Sequence, residues 1–238
     1  AAMRKQLLIL LASVLVLLFV LKAGGMLPAI HIKMKDAVTE TEESMPLINN
    51  AQINTTPILQ MPELPTGCES VALTMALNSY GFDLDKTAIA SDWLIHNDEN
   101  YVLGYAGDPF SDNGAGIFPP GLCDTANNFL KSKGYPHKAY DVTGMEIEDL
   151  LEYIADGIPV VVWTTIDYTD PKYSGSEITY NERTYRWYSN EHCVMLGGFD
   201  QGASSVTVYD PMLGKTTVDM EVFRDNYNKI GKYALIIV

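Results

Sequence analysis

An α+β fold is predicted from three observations. Helix-period segments follow residue 57, β-branched and aromatic runs fill the chain from residue 158 onward, and no repeat recurs along the sequence. Helices followed by strands, rather than alternating with them, point to an antiparallel sheet that carries the second half of the domain. The 238 residues, 47% hydrophobic and 19% charged, are enough for one ordinary domain with a sizeable core.

Residues 1–32 are set aside as a signal peptide or an N-terminal membrane anchor. Arg4 and Lys5 precede a Leu-rich run from Leu7 to Leu21, a charged start followed by a signal-length apolar segment. The run falls short of the roughly 20 residues of a comfortable span, and Ala23-Gly24-Gly25 is a poor cleavage match, so both readings stand. Either places the chain outside the cell or on the outer face of the cytoplasmic membrane. Residues 33–56, with Thr-Glu-Thr-Glu-Glu, Asn49-Asn50 and no apolar period, read as a flexible linker. The folded domain is expected over 57–238.

Within it, Val71, Ala72, Met75, Ala76 and Tyr80 recur at helical spacing, Leu73 and Leu77 fill an adjoining face, and Gly81 stands where a glycine ends a helix. This helix is expected to be central. Further helices are predicted over 85–96, over 120–133 between opening prolines and Gly134, and over 145–155 before Gly157. Strands are predicted over 158–165, 185–188, 192–199, 205–209, 216–218 and 233–238, with a short helix over 220–227. Residues 104–121, rich in Gly, Asp and Pro, form a long loop, read either as a wall of a substrate cleft or as a surface insertion.

The formal charge is −14, and without Arg4, Lys5 and Lys22 the balance is 13 basic to 30 acidic groups. Such a surface repels nucleic acid and anionic headgroups, leaving a peptide or protein as the expected partner and the membrane only through the N-terminal segment. No Cys/His ligand cluster, P-loop or dinucleotide pattern implies a metal or cofactor. Three cysteines leave at least one unpaired in an oxidising compartment. Cys68 is that residue, while Cys123 and Cys193 either pair or stay as buried thiols.

Cys68 carries the chemistry. It follows Pro65-Thr66-Gly67 at the start of the central helix, where the dipole is expected to lower a thiol's pKa and favour the thiolate. A cysteine nucleophile needs a base, a group to orient that base, and donors for the oxyanion. His192 opens an apolar strand and supplies the imidazole. Asp210 ends the strand Ser205-Val206-Thr207-Val208-Tyr209 and fixes the tautomer, and Gln60 lends an amide to the oxyanion hole beside the Cys68 N–H. Glu69 reads as a helix-start carboxylate favoured by the dipole. His31, His96 and His137 read as surface residues, and Trp187 as core or as a border of the cleft.

The order Cys, His, Asp resembles the papain-type arrangement of an early-helix nucleophile and a late-sheet base. More narrowly, the segment from Gln60 through Pro62-Glu63-Leu64-Pro65-Thr66-Gly67-Cys68-Glu69, the run from Glu191 to Asp200, and Tyr209-Asp210-Pro211 resemble the cysteine peptidases related to the bacteriocin-processing, double-glycine leader peptidases. The resemblance covers about residues 57–238, including the 107–109 and 116–120 loop segments. It implies a papain-like fold, with Cys68 as nucleophile, His192 as base, Asp210 as orienting acid and Gln60 as oxyanion donor. Gly67 before Cys68 and Glu69 after it match the free-standing secreted branch better than the transporter-fused one, so double-glycine specificity is not carried over. The expected activity is peptide hydrolysis through a thioester. An acyl or peptidyl transferase, an amidase and a catalytically silent cell-surface binding module are the competing readings.

Overall fold

The computed structural model describes residues 48–238. The predicted leader and most of the linker lie outside the described residues. Among the described residues no helix is long and apolar enough to cross a membrane.

The chain opens with the short strand β1 (Asn50–Gln52) and then enters the central helix α1 (Cys68–Ser79). Two helices follow, α2 (Ala88–Asp92) and α3 (Pro119–Ser132), and then β2 (Ala139–Asp141) and α4 (Ile147–Ala155). The remainder is β3 (Val160–Thr165), β4 (Tyr173–Tyr180), β5 (Arg183–Tyr188), β6 (Glu191–Asp200), β7 (Ser205–Asp210), β8 (Gly214–Asp219), α5 (Met220–Ile230) and β9 (Ala234–Ile237). This is the expected helices-then-sheet arrangement.

Seven strands form one antiparallel sheet in the order β2-β9-β3-β6-β7-β8, with β1 joining β6, while β4 and β5 make a separate hairpin. β6 is the hub. Its first part pairs β3 from Thr165 opposite Glu191 to Val160 opposite Leu196, its other edge pairs β7, and its last residues pair β1. Two glycines make this crowding possible. A Cβ on Gly197, at the register shift against β7, would stand 2.7 Å from the Tyr209 ring, and one on Gly198 would stand 2.9 Å from the carbonyl of Ala51.

α1 packs on β6 and, less extensively, on β3 and β7. Every residue from Cys68 to Leu77 is buried, so it is surrounded on all sides rather than along one stripe, as a helix apolar on two faces must be. Packing therefore fixes where its first residue sits.

Four differences from the sequence expectations have physical causes. The linker's last residues belong to the fold: β1 pairs β6, the Ile53 N–H donates to Gly197 O at 2.7 Å, and Ile53 is buried. α2 is only five residues long, because Asp85 turns the chain by accepting from the Thr87 N–H, and residues beyond Trp93 leave to bridge His96 with Tyr105. β2 and β4 carry no apolar alternation, β4 being almost wholly exposed, so no period marked them. The disulfide left open between Cys123 and Cys193 is not formed, and all three cysteines are free and buried.

Candidate active site

α1 begins at Cys68, with Gly67 as its N-cap and no side-chain cap. The peptide N–H groups of a first helical turn lack intrahelical partners, so the Cys68 N–H stands available beside its own thiol. Thr66 anchors the approach: its carbonyl accepts from the Tyr105 hydroxyl at 2.6 Å, and its own hydroxyl donates to Ser111 O at 3.0 Å. The long loop therefore packs directly onto the segment that delivers the cysteine.

His192 and Asp210 lie on neighbouring strands. Extending the Met195–Tyr209 pairing by one residue sets Asp210 opposite Val194, so Asp210 and His192 are diagonal neighbours on one face of the sheet. His192 Nε2 lies 2.8 Å from Asp210 Oδ1, and the two residues are only 4% and 3% exposed. The same Oδ1 accepts from the Met212 N–H at 2.7 Å and the Leu213 N–H at 3.3 Å. Burial works to raise the Asp210 pKa, but the His192 bond and charge and the two amides outweigh it, holding the carboxyl below its ordinary 3.8. A charged Asp210 selects the tautomer with the proton on Nε2, which leaves the lone pair on Nδ1.

Gln60 is brought to the same end of the sheet, its N–H donating to Pro211 O at 2.8 Å, one residue past Asp210. Its side-chain Nε2 donates to Pro65 O at 2.8 Å, and its buried Oε1 has no partner. The second hydrogen of that amide is uncommitted among the described hydrogen bonds.

The helix start and the strand start meet at the sulfur. The backbone of Cys193, one residue past His192, lies near Cys68 and weakly favours its thiolate. The thiol itself donates to Glu69 Oε2 at 3.3 Å, and among the described residues no hydrogen bond joins it to the imidazole. The expected lowering of the thiol pKa is overturned here: burial, and then the nearby carboxyls of Glu69 and Glu191, push it well above its usual value. At rest, Cys68 is a thiol.

The match to a family model covers residues 49–235, with the description Peptidase C39-like family. The chain belongs to the peptidase C39-like family. A solved structure described as a C39-like peptidase from Bacillus anthracis is 31% identical and superposes with a TM-score of 0.67, over 79% of this chain and 97% of that one. The uncharacterized protein YvpB of Bacillus subtilis (strain 168) is 27% identical over 189 residues, 75% of this chain and 72% of that protein. A double glycine motif protease from an AMS/PCAT transporter aligns at 16% identity with a TM-score of 0.46, over 79% of this chain and 93% of that one. The C39-like fold expected from the sequence is the fold observed.

Two further carboxyls lie at this C39-like site: Glu69, expected only as a helix-start carboxylate, and Glu191. Glu69, fully buried, accepts at Oε1 from the Ile117 N–H at 2.9 Å and at Oε2 from the Cys68 thiol, and burial raises its pKa to about 7 despite those donors and His192. Glu191 has its Oε1 buried without a partner, and burial followed by the Glu69 charge pushes its pKa well up. Sγ of Cys68 and one oxygen from each carboxyl lie within 4.8 Å of one another. Both Glu69 oxygens are already engaged by protein donors, and Glu191 adds a second acid beside the Cys68–Glu69 hydrogen bond. The signal for Glu191 was its position beside His192, opposite Thr165 at the end of β3. Trp187 does border this corner: a Cβ on Gly116, whose φ is +148°, would meet Glu69 Oε1 and come within 2.6 Å of the Trp187 ring.

Proposed function

We propose that this chain is an exported cysteine peptidase in which Cys68 is the nucleophile, His192 the base, Asp210 its orienting acid, and Gln60 with the Cys68 N–H the oxyanion donors. The carrying observation is the buried His192–Asp210 pair, which spends Nε2 and leaves Nδ1 for a thiol held at the same sheet end. Cys68 gives its proton to His192 Nδ1 and attacks the peptide carbonyl. The imidazolium then protonates the departing amine as the C–N bond breaks, leaving a thioester. Water, deprotonated by the same Nδ1, opens the thioester and releases the acid.

Export rests on the charged and apolar N-terminal sequence, and is checked by fractionating cells for the full chain. The acidic surface suits neutral or cationic peptides and no nucleic acid. One observation favours a second reading, a silent binding module: the resting thiol bonds Glu69 instead of the imidazole.

The full chain is incubated with a peptide library, beside Cys68→Ser and His192→Ala. Cleavage by the wild type alone supports the peptidase. No cleavage, with Cys68 alkylated by iodoacetamide no faster than Cys123 and Cys193, supports the silent module. Joining of the acyl product to an added amine, in place of free acid, makes the enzyme a transferase.

A further inference from the structure

Two acids crowd the sulfur that the proposed chemistry needs as an anion. Glu69 stands beside Cys68 on α1, and Glu191 opens β6, one residue before the imidazole. Glu69 is fully buried and Glu191 is half-buried with its Oε1 shielded from water, and each lies within 4.8 Å of the sulfur through one oxygen. Two carboxylates this close resist ionising together, so the pair holds one proton and carries one negative charge. That charge is placed against Sγ, where the thiol donates to Glu69 Oε2.

The groups facing the pair leave no other compensation. From α1 comes Cys68; from β6 come His192 and Cys193; from β7, on the far side of the imidazole, comes Asp210; from the long loop comes Tyr105, whose hydroxyl is committed to Thr66 O. No lysine or arginine is among them. Among the described residues, the cation nearest the pair is the imidazolium formed when Cys68 ionises.

We infer that Glu69 and Glu191 form a proton-sharing gate on the nucleophile: while the pair is charged, Glu69 keeps the Cys68 thiol protonated, and a second proton on the pair releases that thiol to His192. This rests on the catalytic reading above and deepens it. The step balances without any co-reactant. A solvent proton neutralises the pair, the S–H proton then passes to Nδ1, and the thiolate and imidazolium stand as an ion pair beside two neutral carboxyls. Glu69 and Glu191 are positioning residues, acting through the charge state of Cys68 without touching substrate. The consequence is a nucleophile that is most available on the acid side of neutrality, consistent with a Glu69 carboxyl that titrates at about 7.

The test reads Cys68 and needs no substrate. Full-length wild type, Glu69→Gln and Glu191→Gln are alkylated with iodoacetamide across about pH 5 to 9, and the rate at Cys68 is taken from its peptide mass, with Cys123 and Cys193 as internal references. The isosteric amides remove the charge and keep the volume. The gate requires Cys68 in both variants to react at least about tenfold faster than wild type near pH 8, with its apparent pKa lowered by a unit or more. The gain must vanish in Glu69→Gln/His192→Ala.

A purely structural role would lower reactivity by the same factor at every pH and leave the midpoint in place, and that result overturns the gate. So do superimposable profiles for wild type and Glu191→Gln. Should Glu69→Gln fail to give a native melting transition, Glu191→Gln decides alone. If the profiles shift but no peptide is ever cut, the gate stands and the peptidase reading falls. If peptides are cut with an unchanged Cys68 profile, the reverse holds.

Discussion

Asp210 is a buried acid 2.8 Å from the His192 imidazole and Glu69 a buried acid 3.3 Å from the Cys68 sulfur, yet the fold moves them in opposite directions. Asp210 is held below its ordinary 3.8, so the stability it contributes is complete above that value and is lost as pH falls through its lowered folded value. Glu69 is raised from 4.5 to about 7, so its contribution is complete below 4.5 and is lost as pH rises through about 7. The melting temperature of the wild type is therefore expected to fall between pH 4.5 and 7, and that slope to flatten in Glu69→Gln; an unchanged slope by calorimetry refutes the assignment. Asp210→Asn keeps the shape but removes the charge that selects the tautomer, and should cost at least about 100-fold in peptide kcat/KM with little change in KM. Cys68, His192 and Asp210 could be proposed from the sequence because each sits at or beside an element end that a local pattern marks, whereas Gln60, in an irregular segment, was proposed from its place eight residues before Cys68. Glu69 and Glu191 were not, because what changes their chemistry is burial against each other and against Ile117, contacts made across the fold.

Elements carry these residues through a few tight approaches. Gly116 has a backbone conformation that side chains rarely adopt, and it leaves room for Glu69 Oε1 and the Trp187 ring. Gly116→Ala should lower stability by about 1–3 kcal/mol, read from the urea midpoint, and it should disturb the Cys68 corner that Glu69 lines. The start of β6 is tied down by a polar network. Asn226 on α5 accepts from the Thr165 N–H at 2.9 Å and donates to Thr165 Oγ1 and Thr169 O, while Asn190 donates to Thr169 Oγ1 and Asp170 O. Asn226→Ala leaves the buried Thr165 N–H without its acceptor, an expected loss of about 1–3 kcal/mol in the same measurement. The strongly apolar elements, α1, β3, β6 and β9, could be read from periodicity because burial dictates their composition. β4 could not, since it is held by cross-strand pairing to β5 on an exposed, polar surface, with the ion pair between Arg186 and Glu177 among its links.

For the whole molecule, the sheet and the helix it clasps form one buried core, and the boundary of that unit lies upstream of where composition placed it. Polar, unpatterned residues before position 57 looked like linker because three residues of β1 are too few to show a period. Their role is visible only against β6. The Ile53 N–H donates to Gly197 O, the buried Tyr209 hydroxyl donates to Ile53 O at 2.7 Å, and the Gln52 side chain donates to Gly197 O at 3.1 Å. A chain that starts at residue 57 loses all three bonds. It also exposes the β6 edge at Gly198 and strands the Tyr209 hydroxyl inside the core. Ile53 burial contributes about 1.5–3 kcal/mol, and an unpaired buried hydroxyl costs about 1–3 kcal/mol more. Compared with a chain starting at residue 48, the shorter one should show a clearly lower urea midpoint, by the equivalent of at least about 3 kcal/mol. Because β6 also carries His192, the shorter chain should lose the selective labelling of Cys68 at denaturant concentrations where the longer one still keeps it. Coincident unfolding curves for the two chains would mean that β1 adds nothing to the sheet and that the domain does begin at Pro57.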